Sequence, residues 1–310
     1  GMASMFAQAW EVGSRAFSRV VQLDPTHGEG WANLSGVYQR ANEPRKAFHA
    51  MEQALKFKRE AWRMWENFLY ICMQLGELEQ AMQALRNKIQ YNNAQAQEND
   101  ADPRVLYALV THLNNLLKAV RELDPSDTSP DAKALERKAV RFESTLTNLF
   151  DFITARITTN PEVWDAHAQL LKIKGAPALS IVESVLKRAR AARKPNWEQE
   201  ASLFEGVADS SLALATELDD IEAVAVGAGD TSVSAAFATL RPSILLLLNS
   251  VVARSERFFE DSPKRAELVE LVARLEERTA SVAAAAASAD ASDSGASGAD
   301  AGAGAAESSV

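Results

Sequence analysis

A 34-residue self-similarity constrains this chain more than any other feature. Trp31 recurs as Trp65, and Ala47 recurs as Ala81, each 34 residues on. Strand signals are almost absent, so the class is all-α. A period of that length in a helix-forming chain is met by stacked pairs of short helices, none able to bury its apolar face alone. With Gly28 as position 1, the first copy places Trp31, Leu34, Ser35 and Tyr38 at positions 4, 7, 8 and 11. Ala47, Met51 and Ala54 follow at 20, 24 and 27. The second copy gives Trp65, Phe68, Leu69, Cys72, Ala81 and Leu85, then departs with Lys88 at position 27. Small residues at 8, 20 and 27 let two helices approach, and bulky ones at 4, 7, 11 and 24 fill the space between them.

This pattern resembles the tetratricopeptide repeat, with its Trp, Leu, Tyr and Ala positions. Position 32, where that repeat has Pro, is Arg59 in the first copy and Asn93 in the second. Gly13, Phe17, Val20 and Pro25 match positions 20 to 32 of an earlier copy without its first helix. The chain reads as the C-terminal piece of a longer protein, opening within a repeat after a Gly1-to-Ser4 remnant; the other reading of Phe6 to Leu23 is a simple N-terminal cap. The turns are Ala41-Asn42-Glu43-Pro44 and Leu75-Gly76-Glu77. Pro44 suits the first turn of a helix, and Gly76 suits a helix end that needs positive φ.

A right-handed helical solenoid over residues 1–93 is followed by a change of period. Leu106, Leu109, Leu113, Leu116, Val120 and Leu123 form a heptad seam, as do Leu135, Ala139, Phe142, Leu146, Leu149 and Ile153. Residues 103–158 thus read as a long antiparallel helical hairpin, capping the last repeat. Residues 160–282 read as degenerate repeat-like helices. Asn160 and Pro161 start one, with Trp164 at position 4 and Gly175 at the turn. Pro195-Asn196-Trp197 starts another, 33 residues after Trp164. The break VGAGDT precedes a helix from Val233 to Phe259, with Pro242 inside it. A last helix runs from Ser262-Pro263 to about Val282. Residues 283–310, rich in Ala, Ser, Gly and Asp, read as a disordered tail, with the alanine run adding at most a helical turn.

The net charge is −9. The tail holds four acids and no base, so nothing favours nucleic acid as the main partner. One cysteine, Cys72, gives no disulfide framework and points to a reducing compartment. The longest apolar run, Ile244 to Leu248, is too short to span a bilayer. His27, His49, His112 and His167 lack metal-ligand spacing. No cluster of catalytic groups appears, and no cofactor is called for, so the chain reads as non-enzymatic.

GSRAFSRVVQLDP, WANLS, AWRMWENF and NPEVWDAHAQL together resemble the C-terminal part of the tetratricopeptide repeat protein 27 family, over Gly13 to Leu171. That family includes a fungal cell-wall-maintenance member. The remainder departs from the family, in keeping with a plant, algal or protist member. The resemblance implies a cytoplasmic scaffold, with the nucleus as a second compartment. It further implies chaperone or spliceosomal assembly factors as partners, in chaperone-assisted assembly of the U5 spliceosomal particle.

The first helix of each pair lines the inner wall of such a stack. Asn33, Gln39 and Arg40 face it from the first copy, and Arg63, Asn67, Tyr70 and Gln74 from the second. These form a candidate groove for a peptide or partner helix. Asn33 and Arg63 match two positions of a clamp for a chaperone's C-terminal carboxylate, but Asn67 stands where that clamp has Arg. The second reading is an RNA-associated module using the basic cluster 187–194: Lys187, Arg188, Arg190, Arg193 and Lys194. Without aromatic residues interleaved for base stacking, they better suit a solvated helix C-terminus, where the dipole favours cations.

Overall fold

The computed structural model describes residues 2–92, 101–124, 129–228 and 231–296, and among these every regular element is a helix. They form two compact units, residues 1–177 and 178–310. The first holds α1 (Met2–Leu23), α2 (Gly28–Arg40), α3 (Pro44–Phe57), α4 (Trp62–Leu75), α5 (Leu78–Tyr91), α6 (Pro103–Arg121), α7 (Pro130–Thr154) and α8 (Pro161–Lys174). The second holds α9 (Ala178–Ala192), α10 (Ala201–Ala228), α11 (Thr231–Phe259) and α12 (Pro263–Ala296).

Helix length in the first unit is set at position 15. Asn42, Gly76 and Gly175 all occupy it, and all are left-handed, with φ of 57°, 74° and 65°. Each closes its helix with the same two bonds. The position-15 N–H donates three residues back, from Asn42 to Gln39, Gly76 to Met73 and Gly175 to Lys172. The next N–H donates five residues back, from Glu43 to Tyr38, Glu77 to Cys72 and Ala176 to Leu171. This double bond satisfies carbonyls that a helix end otherwise leaves bare. Only Gly or Asn enters the left-handed region at low cost. Hence α2, α4 and α8 stop after 13, 14 and 14 residues. In α6 the equivalent residue is Leu117, and that helix runs on for 19 residues to Arg121.

Helix starts are equally regular. The indole N–H of Trp31, Trp65 and Trp164 donates to the carbonyl six residues back, at Pro25 (2.8 Å), Arg59 (2.7 Å) and Thr158 (3.0 Å). The acceptor is position 32 of the preceding copy for Trp31 and Trp65, and the same distance back for Trp164. The side chain there is Pro, Arg or Thr, which matters little because only its carbonyl is used. Helix α6 begins Asp102-Pro103-Arg104-Val105-Leu106 and α8 begins Asn160-Pro161-Glu162-Val163-Trp164. Both caps accept the N–H two residues on, at 3.0 and 2.9 Å. Leu106 stands where the other first helices have Trp.

These equivalences make α6 and α7 an enlarged repeat. Helix α7 lies against α5, and α6 lies against α8. The hairpin expected to cap the last repeat is therefore a member of the stack. The core is continuous through it, from Met51 and Leu85 through Leu109 and Phe142 to Leu170. Ala47, Ala54 and Ala81 are fully buried, so any larger side chain there would force the paired helices apart. The Ser35 hydroxyl, also buried, donates to the Ala47 carbonyl at 2.7 Å and ties positions 8 and 20 together. Lys88 departs from the small residue of position 27 for a reason the packing makes plain. Its stem is buried and its ammonium meets Glu66 across the α4–α5 pair at 2.7 Å.

The second unit is arranged around α10, which contacts α9, α11 and α12. Trp197 does not start an α-helix there. Asn196 is left-handed at φ 59°, and an α-helix cannot pass through such a residue. Trp197 instead lies in a 3-10 turn over Trp197–Gln199, and α10 begins at Ala201. Helix α11 contains Pro242. Helix α12 extends to Ala296, well beyond the one extra turn expected of the alanine run, because alanine is the strongest helix former. The rest of the expected disordered tail, residues 297–310, lies outside the described residues.

Candidate functional site

The α4 helix starts at Trp62 and ends at Gly76, and its length fixes which side chains leave the core. Phe68, Leu69, Ile71 and Cys72 are buried. Arg63, Asn67, Tyr70 and Gln74 are exposed, at spacings of 4, 3 and 4. Residues so spaced share one face of a helix. The fold thus brings these four of the seven candidate residues into a single stripe. Arg63 is held with its guanidinium 5.3 Å from the centre of the Trp62 ring. Tyr70 is 43% exposed, and its hydroxyl donates to Asp102 Oδ2 at 3.3 Å.

On α2, Asn33 is exposed and Gln39 half-buried. Gly36, between them on the helix, has open space where a Cβ would sit. Arg40 stands apart from the others. Its guanidinium lies 5.5 Å over the Trp10 ring, and it lines a cleft of about 420 Å³ with Tyr38, Asn42 and Lys46 at the α1 edge.

Asp102, not foreseen as a site residue, organises the neighbouring wall. It caps α6, takes two side-chain bonds from Arg104 at 3.2 and 3.0 Å, and receives Tyr70. The Arg104 bond is the main reason its carboxyl lies below the ordinary range; burial opposes that. Burial, and next the Asp102 charge, push the Tyr70 hydroxyl up. Tyr107 makes the analogous link to Asp165 at 2.8 Å, joining α6 to α8. The signal for Asp102 was its kinship with Asn160: an Asx-Pro pair at a helix start. Along this face the carboxylates Glu66, Asp102 and Asp165 are all bonded within the unit.

Most of the remaining candidate groups are engaged in packing, capping or ion pairs. Cys72 is buried, and burial pushes its thiol up to about 12, so it is no nucleophile. His27 Nδ1 accepts the Gly30 N–H at 2.8 Å and caps α2. His112 packs edge-on against Phe142, and His167 lies between Phe150 and Trp164. His49 lies 3.3 Å from Glu52. Among the described residues no three His, Cys, Asp or Glu side chains converge on a metal site, and no helix is long and apolar enough to cross a membrane. In the basic cluster Arg193 is half-buried near Arg254 and Glu198; burial, then the Arg254 charge, lower its pKa. Lys187, Arg188 and Lys194 are each engaged within the chain, while Arg190 is exposed.

No family model matches the chain. It is 28% identical over 277 residues to the tetratricopeptide repeat-containing protein trd-1 of Caenorhabditis elegans, covering 86% of this chain and 34% of that protein. It is 31% identical over 153 residues to the tetratricopeptide repeat protein 27 homolog of Dictyostelium discoideum, covering 49% of this chain and 16% of that one. The essential for maintenance of the cell wall protein 1 of Saccharomyces cerevisiae is 27% identical over 101 residues, with 32% and 11% covered. The chain spans about a third or less of the length of these relatives. Their repeats and the repeat geometry agree. The chain carries helical repeats of the tetratricopeptide kind and is similar to these two tetratricopeptide repeat proteins.

Proposed function

We propose that the first unit is a non-catalytic adaptor whose first-helix face takes an extended segment or a helix of a partner protein. The observation that carries this reading is the α4 stripe of Arg63, Asn67, Tyr70 and Gln74, exposed on the first helix of a repeat. Carboxamides offer both donors and acceptors to a peptide backbone, and a guanidinium offers a fork to a carboxylate. Trp62 and Asp102 hold Arg63 and Tyr70 in place, which reduces the ordering cost of binding. Asn33 extends the face onto α2. The resemblance to the tetratricopeptide repeat protein 27 family adds a setting: chaperone-assisted assembly of the U5 spliceosomal particle, in the cytoplasm or nucleus. The engaged and half-buried cations of the 187–194 cluster give an RNA-binding reading little support.

The test is affinity capture from cell lysate with the wild-type chain beside Asn33→Ala/Arg63→Glu/Asn67→Ala, with proteins identified by mass spectrometry. Partners lost from the variant support the face as the site. The same partners retained at the same yield contradict it.

A further inference from the structure

A second feature lies on the other helix of each pair. Between α3 and α5 the stack leaves a cleft of about 440 Å³. Its floor is apolar: Leu55 from α3, and Trp65 and Phe68 from α4, with the two rings edge to face at 6.2 Å between centroids. One wall is a row of carboxamides on α5, Gln80, Gln83 and Asn87, at spacings of 3 and 4. None of the three makes a side-chain hydrogen bond among the described residues. At the α3 end stand Lys56 and Arg59, both exposed, and Arg59 makes no ion pair among the described residues. Glu52, the one carboxylate among the described lining residues, lies 3.3 Å from His49.

The parts fit one kind of occupant. Gln80 to Asn87 covers about 10 Å along the helix at 1.5 Å per residue. An extended chain, rising about 3.4 Å per residue, passes that row with about three residues. Its backbone N–H and C=O groups find both complements in the carboxamides. Successive side chains of an extended chain point to opposite sides, so one can enter the aromatic floor while a neighbour reaches the rim. The rim there is cationic.

We propose that the α3–α5 cleft binds an extended peptide segment of a partner protein, seating a large apolar side chain on Trp65 and Phe68 and a carboxylate at Lys56 and Arg59. This site is separate from the α4 stripe and does not depend on it.

The experiment is display selection of a randomised octapeptide pool on the full chain, with Arg59→Glu/Gln83→Ala/Asn87→Ala as the counter-selecting chain. All three substituted side chains lie on the surface side of the cleft, and a thermal melt matching wild type confirms the fold. The expected result is enrichment, by ten-fold or more over the variant, of peptides carrying an acidic residue within two positions of an aromatic or large aliphatic one. Those peptides, synthesised with a fluorescent label, bind Asn67→Ala/Gln74→Ala as tightly as wild type. The proposal is overturned if nothing enriches on wild type over the cleft variant, or if the enriched peptides are basic. It is equally overturned if they lose binding to the Asn67→Ala/Gln74→Ala chain instead.

Discussion

In the first unit a tryptophan opens its helix and hands its indole N–H to a carbonyl six residues back; in the second unit Trp197 does neither. Trp31 and Trp65 are half-buried hinges between one repeat and the next. Trp197 is 2% exposed, stacked on Phe204, which is stacked in turn on Phe259 at 4.1 Å, and Arg254 lies 5.8 Å over its ring. The backbone conformation explains the difference. In the repeats the left-handed residue comes at position 15, after the helix, and ends it. Before Trp197 the left-handed residue is Asn196, and it forbids the helix from starting. The repeat is thus a register of backbone states, and tryptophan spacing is only one mark of it.

The largest test of this contrast is Trp197→Ala. Loss of a fully buried indole should destabilise the second unit by about 3–5 kcal/mol. Trp65→Phe, which keeps an aromatic ring but deletes the N–H and part of a half-buried indole, should cost less, about 1–2 kcal/mol. Denaturant unfolding of both variants, followed by helix content, checks the ordering; equal losses would erase the distinction. Next comes Gly76→Ala. A Cβ at Gly76 meets nothing within 4 Å, so the cost is that of the left-handed backbone alone, about 1–2 kcal/mol. Gly76→Asn, copying Asn42, should recover most of it in the same unfolding measurement.

Asp102→Ala should cost about 1 kcal/mol at neutral pH through the lost cap of α6. Arg104 holds the folded carboxyl below its ordinary 3.8, so the ionised form stabilises the fold above that value. That contribution disappears as the pH falls through the lower folded value. The stability gap between wild type and Asp102→Ala should therefore narrow only in strong acid; a gap that closed near pH 6 would contradict the assignment. The smallest effect concerns Gly36, which is helical with open space around it. Gly36→Ala should raise stability by about 0.5–1 kcal/mol, visible as a higher melting temperature.

Much of this was legible in the residues. The caps at Pro44, Gly76, Asn160 and Gly175 follow from chemistry local to a few residues, and they stand where expected. So does the exposed stripe on α4, which follows from helical periodicity once the core positions are known. Other features depend on contacts distant in sequence. Leu106 replaces the marker tryptophan and Leu117 replaces the stop signal, so the enlarged repeat carries neither badge. Its place in the stack shows only in the contacts of α7 with α5 and of α6 with α8. The Lys88–Glu66 pair spans 22 residues and the Tyr70–Asp102 bond 32. Both were invisible to local patterns. The α3–α5 cleft has a readable half, the Gln80–Gln83–Asn87 stripe, and an unreadable half, the gap it faces.

The most direct test of the account is hydrogen exchange by mass spectrometry on Phe142→Ala. Phe142 is 1% exposed in α7, and its loss loosens the enlarged repeat. Repeats in a stack gain stability from both neighbours. If the α6–α7 pair is a repeat within the stack, exchange should quicken in α5 on one side and α8 on the other, as well as in α6 and α7. Faster exchange confined to α6 and α7, with α8 and α5 as protected as in wild type, would contradict it.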